Sequence, residues 1–170
     1  MCILTISDPT VLWLKEQVYD SCGFELTAYQ EEEESSAYCA ARFKLNGKTT
    51  IFRKAKITPK KTGQFVTVWK RNEKGVTVPF QETDQIDLVV IFVASGHQKG
   101  TFIFPGRILI EKKIISSAHI EGKRGIRVYP PWDAPKSKQA IQTQKWQCLY
   151  FVSLDSLLTT EIEQLKKKYK

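Results

Sequence analysis

Apolar positions along the chain change spacing several times, and each change marks an element. Val11, Leu12, Leu14, Val18 and Tyr19 form a helix-spaced stripe behind Asp8, a capping residue, and Pro9, which suits a first helical turn; Gly23 ends the stripe. Residues 36–45 and 49–57 read as two strands joined by Asn46-Gly47, a strong hairpin signal. Residues 58–63 form a loop, because Pro59 and Gly63 interrupt pairing and no apolar residue falls between them. Phe65 to Trp69 resumes a strand, Asn72 to Gly75 is a turn, and Ile86 to Ala94, apolar on both faces, predicts the central strand of a sheet.

Beyond a polar loop at Ser95 to Gly100, Thr101 to Phe104 predicts a strand stopped by Pro105, and residues 106–115 have helical spacing. The basic turn Gly122 to Gly125 leads into a short strand, Ile126 to Tyr129, which Pro130-Pro131 ends. Ser137 caps a helix running to about Gln147, and Cys148 to Val152 reads equally well as strand. Asp155 opens a last helix with Leu158, Ile162 and Leu165 on one face and a solvated tail at Lys166 to Lys168. The pattern predicts a mixed α/β or α+β domain over residues 1–170, with one sheet of five or six strands.

Composition narrows the class. A chain of 170 residues with 42% hydrophobic and 26% charged residues can bury a core without disulfides or a structural metal. Its longest apolar run, Leu88 to Ala94, is far too short to span a membrane, and the N-terminus has no secretory pattern. The expected compartment is therefore the cytoplasm. Cys2, Cys22, Cys39 and Cys148 show no C-x-x-C pairing and suit reduced, buried thiols.

The net charge of +8 is concentrated. Between Arg42 and Lys74 eleven basic residues face the single acid Glu73, a local net of +10 that leaves the rest of the chain at −2. Such a cluster attracts phosphates, acidic proteins or anionic lipid. Phe65, Trp69 and Phe52 interleave with the charges, together with Gln64 and Thr67, a mixture suited to gripping a backbone and packing on bases. The plainer alternative is that these cations decorate strands and cancel in space against Glu31 to Glu34.

Several catalytic signatures are missing. No phosphate-binding G-x-x-x-x-G-K-[ST] loop and no G-x-S-x-G elbow occurs, and two distant histidines, His97 and His119, exclude a multi-histidine metal centre. Glu31 to Glu34, Asp84, Asp87 and Asp133 are the acids available to a hard divalent ion, although acids near turns more often cap or solvate. The turn Gly122-Lys123-Arg124-Gly125-Ile126-Arg127 is a second candidate anion site, beside the aromatic residues Tyr129, Trp132 and Trp146.

The string Arg53-Lys54-Ala55-Lys56-Ile57-Thr58-Pro59-Lys60-Lys61-Thr62-Gly63-Gln64-Phe65-Val66-Thr67-Val68-Trp69-Lys70-Arg71 resembles the signature of the MepB family of small bacterial proteins. Phe102 to Pro105, Gly122 to Trp132 and Thr143 to Gln147 follow in the family's order, so the resemblance covers about residues 29–151. It implies a restriction-endonuclease-like mixed β-sheet flanked by helices, and nucleic-acid binding in a transcription or drug-response context. Nucleases of that fold carry an acid on one strand and an acidic-x-Lys triplet on the next, where carboxylates hold magnesium. If Thr50 to Lys56 is that second strand, Lys54-Ala55-Lys56 is the triplet here, with lysine in place of the metal-binding acid. A cation there repels magnesium and attracts phosphate.

The expected function is therefore nucleic-acid binding, to DNA in the first instance, without cleavage, cofactor or metal. The expected contacts are Arg53, Lys56, Lys60, Lys61, Lys70, Arg71, Lys123, Arg124 and Arg127, with Gln64, Trp69 and Trp132 for polar or stacking contacts. One rival is a magnesium-dependent nuclease using Glu34, Asp84 or Asp87 with Lys56. The other is an interaction module holding an acidic protein such as a transcriptional regulator.

Overall fold

A computed structural model describes residues 4–170, so Cys2 lies outside the described residues. Its centre is a six-stranded mixed sheet. Strands β1 (Leu26–Glu31), β2 (Ala41–Leu45), β3 (Lys48–Lys54), β8 (Leu88–Ser95), β9 (Gln98–Pro105) and β11 (Phe151–Ser153) lie side by side in that order. Only β3 and β8 run parallel, with Phe52 opposite Val90 and Arg53 opposite Ile91. Strand β8 is central, as its unbroken apolar run requires: Val90 and Phe92 point into one core layer, Val89, Ile91 and Val93 into the other.

Helices cover the first face. The helix α1 (Pro9–Leu14) continues as a π turn over Lys15–Tyr19, and α4 (Thr159–Lys168) packs beside it, so that Val11, Leu14, Tyr19, Leu165 and Tyr169 close over Phe43, Phe52 and Ile103. Asp8 caps α1 by accepting the backbone N–H groups of Thr10 at 2.9 Å and Val11 at 3.0 Å. On the second face lies a three-stranded sheet of β10 (Gly125–Val128), β5 (Gln64–Thr67) and β4 (Lys56–Ile57), in that order. Its inner side chains Val66, Ile126 and Val128 pack against Ile91, Phe102 and Phe104, together with Leu109 of α2 (Gly106–Glu111) and Trp146 of α3 (Lys138–Gln147). A separate ribbon pairs β6 (Trp69–Arg71) with β7 (Thr77–Pro79).

The free edge of β10 is closed by one side chain. The buried Gln147 amide donates from Nε2 to Arg127 O at 2.9 Å, while its Oε1 accepts Tyr129 N–H at 2.9 Å.

Several boundaries differ from the sequence expectation, each for a local reason. Residues 36–40 are not strand: Ser35 and Cys39 adopt left-handed backbone around a 3-10 turn at Ser36–Tyr38. The edge strand β1 carries no alternating signal because a bulge at Ala28, φ 53°, breaks its register between Thr27 and Gln30. Strand β9 starts at Gln98 because Gly96-His97 makes a tight two-residue turn with Ser95 opposite Gln98. The helix α2 stops at Glu111, and α4 starts at Thr159 because Asp155 instead accepts the Lys99 N–H at 2.7 Å.

Candidate nucleic-acid interface

The outer face of the three-stranded sheet assembles the most concentrated set of predicted contacts. Phe65 on β5 stands opposite Lys56 on β4 and opposite Arg127 on β10, and directly opposed residues share a face. The row Lys56, Phe65, Arg127 therefore points away from the core, while Val66 and Ile126 point into it. Gly125 makes room for the phenyl ring, since a Cβ there would come within 2.5 Å of Phe65 Cζ.

Tyr38 joins this row from outside the sheet. The strained turn bounded by Ser35 and Cys39 places its ring 6.1 Å from Phe65, edge to face, with Lys56 Nζ 4.8 Å from the Tyr38 centroid. Thr67 Oγ1 and Ser35 Oγ, 2.7 Å apart, tie the turn to β5. Cys39 behind it has its thiol pushed up to about 11 by burial, with Asp8 adding to the shift.

Arg127 clamps the neighbouring loop. Its guanidinium donates to Thr58 Oγ1 at 2.6 Å, Gly63 O at 3.3 Å and Thr62 O at 3.4 Å. Gly63, at φ +82°, lies under the Tyr129 ring, where a Cβ would meet ring carbons at 2.7 Å. On the same side, burial raises the pKa of the Asp133 carboxyl, an effect the nearby Gly63 backbone opposes. The loop so pinned exposes Lys60 and Lys61. Among the described residues, Lys56, Lys60 and Lys61 have no carboxylate within ion-pair distance.

Other expected contacts are placed elsewhere. Arg53 is wholly buried, with Nη2 2.8 Å from Glu32 Oε2, Nη1 donating to Phe52 O at 2.8 Å, and its guanidinium 5.6 Å from the Phe80 ring centroid. Burial lowers its pKa, and no surface phosphate can reach it. Gln64 is also buried, donating to Ala94 O at 3.1 Å, and Phe52 is a core residue. Trp132 packs edge-on against Phe151 at 5.8 Å with its indole nitrogen buried, and Trp146 packs on Phe104 at 5.5 Å. Arg53, Gln64, Phe52 and Trp132 are corrections to the surface or interleaving role read from the sequence, whereas Trp146 is the core-packing residue its aromatic character suggests. A lone Arg or Gln in a basic run looks the same in sequence whether it points in or out.

Trp69, Lys70 and Arg71 sit together on β6, in a different sheet from Lys56. Lys70 pairs with Asp84, and Arg71 pairs with Glu34 at 3.1 Å while lying 5.5 Å from the Trp69 centroid. Arg124 is held by Glu121 at 3.1 Å and Thr77 O at 3.2 Å. Lys123 instead lines a groove of about 350 Å³ with Lys112, Trp146 and Thr143, along the β10 edge. Part of the basic excess is thus cancelled, as the alternative reading allowed: Glu32 takes Arg53 and, at 3.7 Å, Arg42.

The acids of the nuclease rival are not brought together with Lys56. Asp87 accepts the Thr49 N–H at 2.8 Å at the start of β3, about 17 Å of strand away from Lys54 at its end. Asp84 accepts the Gln81 N–H at 2.8 Å in a capping box, and Glu34 is paired with Arg71. Among the described residues no three His, Cys, Asp or Glu side chains meet in a metal-ligating group.

Sequence reasoning missed Tyr38. Nothing local singles it out; it acquires its neighbours only through the way the turn and the small sheet come together.

A family model described as MepB-like matches residues 32–153. The chain belongs to the MepB-like family. A solved structure titled "Crystal Structure of MepB" is similar to this MepB-like chain, with a TM-score of 0.76 and 33% sequence identity over 89% of this chain and 99% of that one. No curated protein matches it significantly. The matched span holds every strand from β2 to β11, and so the whole outer face of the small sheet. Among the described residues no helix is long and apolar enough to cross a membrane.

Proposed function

We propose that this MepB-like chain binds nucleic acid through its phosphates, without cutting it, at the outer face of the β10–β5–β4 sheet. One observation carries the reading: Lys56 on β4 and Lys60 and Lys61 on the adjoining loop, which Arg127 holds in place, lie along one rim of that sheet without carboxylate partners among the described residues. Unbalanced cations on a fixed rim focus a positive field that a phosphate chain relieves by releasing counterions. A restriction-endonuclease-like sheet would suit this reading, although the strand expected to run from Thr50 to Lys56 ends at Lys54 and Lys56 lies on β4 of the small sheet; a cation at Lys54 favours phosphate oxygens over magnesium. The setting that suits such a protein is the bacterial cytoplasm, with DNA as the first candidate partner and an acidic regulator as the rival.

Binding of labelled oligonucleotides measured across salt concentrations tests this. The expected affinity falls linearly on a double-logarithmic plot, by about 0.7 to 0.9 log units per phosphate neutralised. Salt-insensitive binding overturns the reading. So does strand cleavage with magnesium that disappears in Lys56→Ala.

A further inference from the structure

We infer that the outer face of the small sheet is a stacking platform for unpaired nucleobases, so that the nucleic acid it takes is single-stranded. The inference rests on the phosphate-binding reading above and adds the part of the ligand that faces the aromatic rings. Phe65 occupies the middle of the row, flanked in register by Lys56 and Arg127, and both Phe65 and Tyr38 are only partly buried. The Phe65 ring is on the solvent side of the small sheet, where the space left by Gly125, opposite Thr67, lets it lie over the strand while part of it stays open to solvent. Tyr38 is brought to its edge by a turn that forces two non-glycine residues, Ser35 and Cys39, into left-handed backbone.

Cations beside partly buried aromatic rings on a sheet are the chemistry that grips a flexible strand: lysines follow the phosphates and rings stack the bases. A duplex offers only half of this match, since its base faces are buried in the helical stack and its phosphates alone reach the rim.

The test compares four probes of equal length, about 15 nucleotides: a deoxythymidine strand, an RNA uridine strand, a deoxythymidine-matched duplex and an abasic strand carrying the same phosphates without bases. Either base-bearing single strand should bind roughly tenfold more tightly than the abasic strand and the duplex, as one stacked base provides. Phe65→Leu should remove that advantage and leave abasic binding unchanged, and Phe65→Tyr, which keeps the ring, should retain it. Equal affinity for the base-bearing and abasic strands, duplex binding as tight as single-strand binding, or an advantage that survives Phe65→Leu overturns the platform while leaving phosphate binding in place. Failure of all four probes to bind at low salt overturns the underlying reading with it.

Discussion

Arg53 Nη2 lies 2.8 Å from Glu32 Oε2, with the arginine shut off from solvent and the glutamate side chain 23% exposed. The pair spans the sheet from the end of β1 to β3, across Arg42 on β2. Removing the acid leaves a buried cation without its counter-charge. Glu32→Ala should therefore lose about 3 kcal/mol of unfolding free energy in urea, whereas Arg53→Met, which removes the cation itself, should cost much less. A Glu32→Ala loss no larger than that of an exposed acid such as Glu33 would show that Arg53 finds a substitute partner.

Two glycines have close neighbours of opposite kinds. A Cβ at Gly106 would come 2.0 Å from the Ile86 carbonyl oxygen, which belongs to fixed backbone, whereas at Gly125 the nearest atom is the far end of the Phe65 ring. Gly106→Ala should destabilise by about 1 to 3 kcal/mol. Gly125→Ala should unfold near the wild-type denaturant midpoint but bind single strands less well, because the ring must swing away.

Lys60 and Lys61 are exposed and share one pinned loop. Replacing both with glutamine should weaken binding uniformly across sequences and flatten the salt dependence by about 1.4 log units per log unit of salt for a single strand. An unchanged slope in fluorescence-anisotropy titrations would remove these lysines from the interface.

Stability should respond to alkali more than to mild acid. The hydroxyls of Tyr19 and Tyr169 lie 3.0 Å apart in the core, and burial pushes both pKa values well above the ordinary 10.0 of tyrosine; Tyr29 is raised to about 12. Each folded-state pKa exceeds its unfolded value, so the phenols ionise first in the unfolded chain. Their contribution is fully present below about pH 10 and is lost as pH rises above it. Urea midpoints should hold through neutral pH and fall steeply above pH 10, and Tyr19→Phe with Tyr169→Phe should blunt the fall.

The elements legible in the sequence are those specified by a local signal. Asp8 and Ser137 each cap the helix that begins after them, Asn46-Gly47 turns β2 into β3, and the apolar run at Leu88 marks the centre of the sheet. Strand β1 escaped notice because Ala28 bulges out of register and only Leu26 of its six residues is buried. At the interface the lysine loop was readable, since Pro59 and Gly63 bound a stretch with no apolar residue to bury. Orientation was not readable. Arg53 and Lys54 are adjacent on β3; the two-residue period sends Arg53 under the small sheet, while Lys54, on the face that buries Phe52, stays partly exposed because it ends the strand. Both faces of β3 are covered, so which residues of the basic run are buried depends on layers supplied by distant parts of the chain.

The Gln147 amide on the β10 edge bears on how many copies of this chain can join. A strand with open N–H and C=O groups is a template for another molecule, and here one acceptor of β10, Arg127 O, and the N–H of Tyr129 just beyond the strand are taken by a single amide from α3. An amide carries its donor and its acceptor on two separate atoms, which lets one side chain reach an N–H and a C=O two residues apart on the strand. The β10 edge is thereby made a poor template for a strand of a neighbouring molecule, which leaves the outer face, rather than that edge, as the surface open to other partners.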